Sequence, residues 1–87
     1  MLNAIAIEEG SDYCYILEDG TWFNNTCDFL KDIRHREDFV DVRGLCFKEL
    51  VPEELEIMEI AINHRQSNTM TQQEAFDFLW RNSRVRW

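Results

Sequence analysis

The sequence predicts an α+β fold: a small antiparallel sheet with helices packed on one face, in the order β-β-(β)-α-β-α-α. Three observations predict it. Residues 2–8 and 12–18 have strand composition and are divided by the turn-forming "EEGSD". Residues 51–65 and 71–82 carry apolar side chains at helical spacing behind recognisable start signals. Only three glycines and one proline occur, so turns are few and no linker divides the chain. Residues 1–87 therefore read as a single domain, of a size that buries roughly 60–65% of its unfolded surface.

Each element has its own warrant. "LNAIAIE" alternates partly and suits a strand. "DYCYILE" puts Tyr13, Tyr15 and Leu17 on one face and Cys14 and Ile16 on the other. Asp19-Gly20 is a favoured tight-turn pair, and Trp22 and Phe23 supply a short third strand. "NNTCDFLKDIRHR" reads as a helix capped by Asn25 or Thr26, with Asp28 in its first turn and Arg34, His35 and Arg36 closing it. Phe29, Leu30 and Ile33 form its apolar stripe.

In residues 39–48, Val40 and Val42 share one face whereas Leu45 and Phe47 share the other. That change of parity predicts a β-bulge at Arg43-Gly44. "VPEELEIMEIAINHR" starts a helix at Pro52, with Glu53 and Glu54 at its positive end. Leu55, Met58, Ala61 and Ile62 make its core stripe, and Glu53, Glu56, Glu59 and Asn63 its polar face. The last helix, "TQQEAFDFLWRN", opens on a Thr71/Glu74 capping box and is apolar over a wide arc.

The net charge of −8 is unevenly placed. Residues 1–30 hold six acidic and no basic residues, and residues 49–59 hold five acidic and none basic. Four arginines lie in residues 60–87. Such a field disfavours direct contact with nucleic acid or an anionic membrane and favours a basic partner. Three cysteines, with no close pair, make no disulfide framework. The N-terminus has no signal-peptide pattern and no segment is apolar enough to span a bilayer. The expectation is a cytoplasmic protein with reduced thiols.

Motifs for chemistry are scarce. "NHRQSNTMTQQE" has the length of a calcium loop, but Arg65 stands where a carboxylate ligand belongs, and Glu74 is its only acid. It reads as the junction between two helices. Cys14, Cys27, Cys46, His35 and His64 lack the paired spacings of a zinc site. Cys27 lies near a helix start, which favours a thiolate, but His35 is about 12 Å further along that helix. No nucleophile elbow, P-loop or dinucleotide-binding pattern occurs. The expectation is no catalytic residue, no metal and no cofactor. "WRNSRVRW" interleaves Trp80 and Trp87 with Arg81, Arg84 and Arg86, a set suited to stacking and phosphate contact, against which the global charge weighs.

The acidic surface remains. Glu53, Glu56 and Glu59 lie on one helix face, where like charges cost a few tenths of a kcal/mol per pair. The leading expectation is a non-enzymatic inhibitor or regulator whose acidic surface occludes a basic site, of the nucleic-acid-binding kind, on a larger protein. Its partner-binding residues are Glu53, Glu56 and Glu59, with Glu8, Glu9, Asp12, Glu18 and Asp19 as a second patch. In size, acidity, aromatic content and lack of a catalytic motif the chain resembles small phage-encoded inhibitors, including anti-CRISPR proteins. That resemblance is one of composition and assigns no residue roles. The alternative is a small accessory subunit or homodimer that associates through apolar surface, with Trp22, Trp80 and Trp87 as anchors. A small enzyme using Cys27 or His64 is a third, lesser reading.

Overall fold

The computed structural model describes residues 2–36, 40–83 and 85–86. Among them, five strands form one sheet: β1 (Leu2–Glu9), β2 (Asp12–Leu17), β3 (Trp22–Phe23), β4 (Val40–Cys46) and β5 (Val85–Arg86), in the order β3-β2-β1-β4-β5. The helices are α1 (Thr26–Ile33), α2 (Pro52–Ala61) and α3 (Gln72–Asn82), with a short 3₁₀ turn at Phe47–Glu49. The α+β class holds. Phe39, the expected first residue of β4, lies outside the described residues.

Two features depart from the expected architecture. First, the sheet is mixed. β1 and β2 form an antiparallel hairpin, whereas β4 runs parallel to β1. β3 is antiparallel to β2, so it too runs parallel to β4. Parallel strands require a crossover, and α1 supplies it between β3 and β4. Second, helices cover both faces. Ile5, Ile7, Ile16 and Leu45 pack against Ala61 and Ile62 at the end of α2 and against Ala75, Phe76 and Leu79 of α3. Ala4, Ala6, Tyr15 and Leu17 pack on the other face against Phe29 of α1.

Double coverage explains the parity change in β4. Its register against β1 runs without interruption through Ile5↔Arg43, Ala6↔Gly44 and Ile7↔Leu45, so there is no bulge. Val40 and Val42 serve the α1 face, while Leu45 and Phe47 serve the α2/α3 face. Strands buried on both faces need apolar residues at both parities. In β1 the alternation is of size: Ala4 to Ile7 are all at most 1% exposed, with alanines toward α1 and isoleucines toward α2 and α3. The small alanines leave room for Tyr15 and Phe29, whose rings stack at 4.0 Å and 2°.

Local chemistry fixes the helix ends. Asn25 caps α1 by accepting from the Asp28 N–H at 2.8 Å. Thr71 accepts from the Glu74 N–H, and Glu74 accepts from the Thr71 N–H, both at 3.1 Å. At the start of α2 the Val51 N–H donates to Glu54 at 3.1 Å. α2 ends at Ala61, four residues short of the expected limit, because Asn63 is left-handed with φ 63°. The His64 N–H then bonds the Glu59 carbonyl and the Asn63 N–H the Ile60 carbonyl, which is a Schellman termination. The Gln72 side-chain amide completes the corner, its Nε2 donating to the Ala61 carbonyl at 2.8 Å and the Glu18 carbonyl at 3.3 Å. Among the described residues, no helix is long and apolar enough to cross a membrane.

Candidate functional site

The α2/α3 face of the sheet is incompletely covered beside β2. There a cleft of about 260 Å³ opens between the sheet and α2. Ile7, Ile16 and Ile62 form its floor, with Phe47 and Met58 beside them. Glu9, Cys14, Trp22, Glu59 and His64 supply its polar and aromatic lining. Among the described residues, no Lys or Arg lines it.

The elements already described place these groups. Strand parity puts Cys14 opposite Ile7 and Trp22 opposite Ile16, all on the α2 face. Glu9 ends β1, and Glu59 stands in the last turns of α2. The Schellman termination brings His64 back to the cleft, where its ring meets Trp22 edge-on at 6.0 Å and 77°. The cleft thus joins one carboxylate from each of the two acidic segments.

The other acidic residues have varied surroundings. Arg65, just past the end of α2, lies 3.0 Å from Glu56 and 3.8 Å from Glu59, so the acidic helix face carries its own counter-charge. Glu53 is exposed in the first turn. Asp12 accepts from the Thr26 hydroxyl at 2.7 Å and the Tyr13 N–H at 2.7 Å. These bonds, the Thr26 hydroxyl first, hold its carboxyl below the usual range. Glu18 accepts from the Asn3 N–H at 3.2 Å, and Asp19 from the Thr21 N–H at 2.9 Å. Burial pushes Asp19 upward, but the Thr21 bonds and the charge of Arg36 outweigh it and leave the carboxyl lowered.

Glu8, Glu9 and Asp12 gather at the β1–β2 turn, whereas Glu18 and Asp19 lie beyond the far end of β2. A strand of that length separates them by about 17–20 Å, so these five acids do not form one continuous patch. Glu8 and Glu9 also border a second cleft, where Lys48 supplies a positive charge.

Cys14 belongs to the cleft as a donor. Its thiol lies 3.2 Å from a Glu9 carboxylate oxygen. Burial first, and then the Glu9 bond and charge, push it up to about 11. It therefore holds much less thiolate near neutral pH than an unperturbed thiol. Timed alkylation read by mass spectrometry is expected to modify the exposed Cys27 well before Cys14. Glu9→Gln is expected to speed the Cys14 reaction, and equal rates at Cys14 and Cys27 in the native protein would contradict this arrangement. The register also sets Cys14 and Cys46 on opposite sheet faces, since they align with the successive residues Ile7 and Glu8. Among the described residues, no three His, Cys, Asp or Glu side chains are grouped to hold a metal ion.

The aromatic anchors divide similarly. Trp22 is 37% exposed at the cleft. Trp80 is half-buried, stacked near Phe76 at 6.1 Å and covered by the Arg43 guanidinium at 4.4 Å. Trp87 and Arg84 lie outside the described residues.

The sequence offers Trp22 as an apolar anchor and His64 as a metal or catalytic candidate, but does not pair the two. Their meeting depends on a left-handed Asn63 that no local pattern announces. No protein-family model, curated protein sequence or solved structure matches this chain.

Proposed function

We propose that this protein is a non-enzymatic inhibitor or regulator that binds a larger protein through acidic surface centred on the cleft. In this reading it covers a basic, nucleic-acid-binding site on its partner and acts in the cytoplasm. One observation carries the reading: Glu9 and Glu59, drawn from the two acidic segments, meet at a single apolar-floored cleft whose lining, among the described residues, holds no Lys or Arg. Apolar floor and carboxylate lining are complementary to a basic surface whose side chains carry long aliphatic stems. Glu53 extends the negative field along α2, with Glu56 beside it paired to Arg65 at 3.0 Å, and Glu8, within β1, carries it to the opposite face of the sheet. The likeness in composition to phage-encoded inhibitors, including anti-CRISPR proteins, agrees with this role.

Affinity capture from a host lysate at low and high salt, followed by reconstitution with the purified partner, tests the proposal. The expected result is association that slows with salt and blocks nucleic-acid binding by the partner. Replacing Glu53, Glu56 and Glu59 together with Lys is expected to weaken it by about tenfold or more and to flatten its salt dependence. Unchanged affinity in that triple variant, or a partner that still binds nucleic acid when saturated, would overturn the assignment.

A further inference from the structure

We infer that the cleft receives one arginine side chain of the partner, with its stem on the isoleucine floor and its guanidinium between Glu9 and Glu59. The inference rests on the acidic-surface reading above and narrows it to one recognised group.

Size is the first argument. At about 260 Å³, the cleft falls below the roughly 300–1,000 Å³ of pockets for drug-sized ligands, and suits a single long side chain. Chemistry is the second. Ile7, Ile16 and Ile62 offer apolar surface to a methylene stem, while the carboxylates stand on different elements, β1 and α2. A cation entering between them satisfies two anions at once. Guanidinium fits better than ammonium because it is planar, weakly hydrated, and able to stack on an aromatic ring while donating to carboxylates. Trp22 offers such a ring at the cleft. The chain already shows this pairing in Arg43 over Trp80.

The two carboxylates are only lightly engaged by the chain itself. Glu9 accepts from the Cys14 thiol, a weak donor. Glu59 lies 3.8 Å from Arg65, whose shorter contact, at 3.0 Å, is with Glu56. Arg65, although not among the residues lining the cleft, is thus an internal competitor for Glu59. Replacing it should improve binding of an external arginine.

The probes are three blocked pentapeptides, Gly-Gly-X-Gly-Gly, with arginine, lysine or citrulline at X, titrated into the isotopically labelled protein at low salt and followed by NMR. The arginine peptide is expected to give saturable shifts at Ile7, Cys14, Ile16, Met58, Ile62 and the Trp22 indole. The lysine peptide should bind at least about threefold more weakly, and the uncharged citrulline peptide should give no saturable shift. Glu9→Gln should weaken the arginine peptide about three- to tenfold. Arg65→Gln should strengthen it about two- to fivefold, the range for an exposed ion pair.

Equal affinity for arginine and citrulline, or for arginine and lysine, would overturn the inference. Shifts confined to the outward face of α2 around Glu53 and Glu56 would also overturn it, while leaving the acidic-surface reading in place. No shift from either cationic peptide, combined with salt-insensitive partner association, would overturn both.

Discussion

Phe29→Ala is expected to destabilise the protein by about 3–5 kcal/mol, the range for deleting a buried aromatic side chain. Phe29 is 3% exposed and is the one fully buried side chain of α1. It fills the space above Ala4 and Ala6, stacks on Tyr15 at 4.0 Å and meets Phe23 edge-on at 5.9 Å. The alanines beneath it are too small to fill the space it leaves, and Tyr15 and Phe23 beside it can relax into that space only in part. The cost therefore includes the residual cavity as well as the lost transfer of the ring. In a domain whose whole stability is of order 5–15 kcal/mol, such a loss lowers the melting temperature by roughly 12 °C or more. Urea unfolding should show the midpoint falling with little change in slope, because the surface exposed on unfolding is nearly the same. A loss below about 1 kcal/mol would mean that α1 is not seated on this face of the sheet.

The same helix shows where the sequence was legible and where it was not. Its start was readable, because Asn25 and Asp28 form a cap from residues three apart. The Thr71/Glu74 box and the Asp19-Gly20 turn were readable for the same reason. What the local pattern could not convey was the face on which α1 lies. An amphipathic stripe of Phe29 and Ile33 fits either side of a sheet. The deciding information was in β1 and β4, whose apolar residues occupy both parities. In β1 this took the form of alternating Ala and Ile, and in β4 of Val40 and Val42 followed by Leu45 and Phe47. Interpreted as a single-faced strand, β4 demanded a bulge; interpreted as a doubly covered parallel strand, it needs none. The candidate site divides in the same way. Its carboxylates were visible as unopposed charge, but the cleft is assembled from residues between Ile7 and His64. The backbone turn that completes it has no sequence signature beyond one asparagine.

That turn gives the second large effect. Gly20→Ala is expected to cost about 2–3 kcal/mol, from two separable sources. Gly20 is buried at φ 92°, where any side chain is strained by about 1–2 kcal/mol. An added Cβ would also stand 2.5 Å from the Asn63 side-chain nitrogen and 3.5 Å from the Ala61 carbonyl. The Asn63 amide is exposed and can swing aside, at a cost of about 1 kcal/mol for the displaced side chain. Asn63→Gly removes that amide and suits φ 63°, so alone it should be neutral or slightly stabilising. The double variant is expected to recover the collision but not the strain, giving a coupling of about 1 kcal/mol in a double-mutant cycle. Strictly additive costs would show that the β2–β3 turn and the end of α2 do not touch. Because Gly20 and Asn63 closely precede Trp22 and His64 in the chain, and the rings of those two meet at 6.0 Å, Gly20→Ala should also shift Trp22 fluorescence and weaken the arginine peptide under conditions where the variant remains folded. Asn63→Gly on the Gly20→Ala background should restore both toward the native values, since it relieves the displacement that opens the cleft.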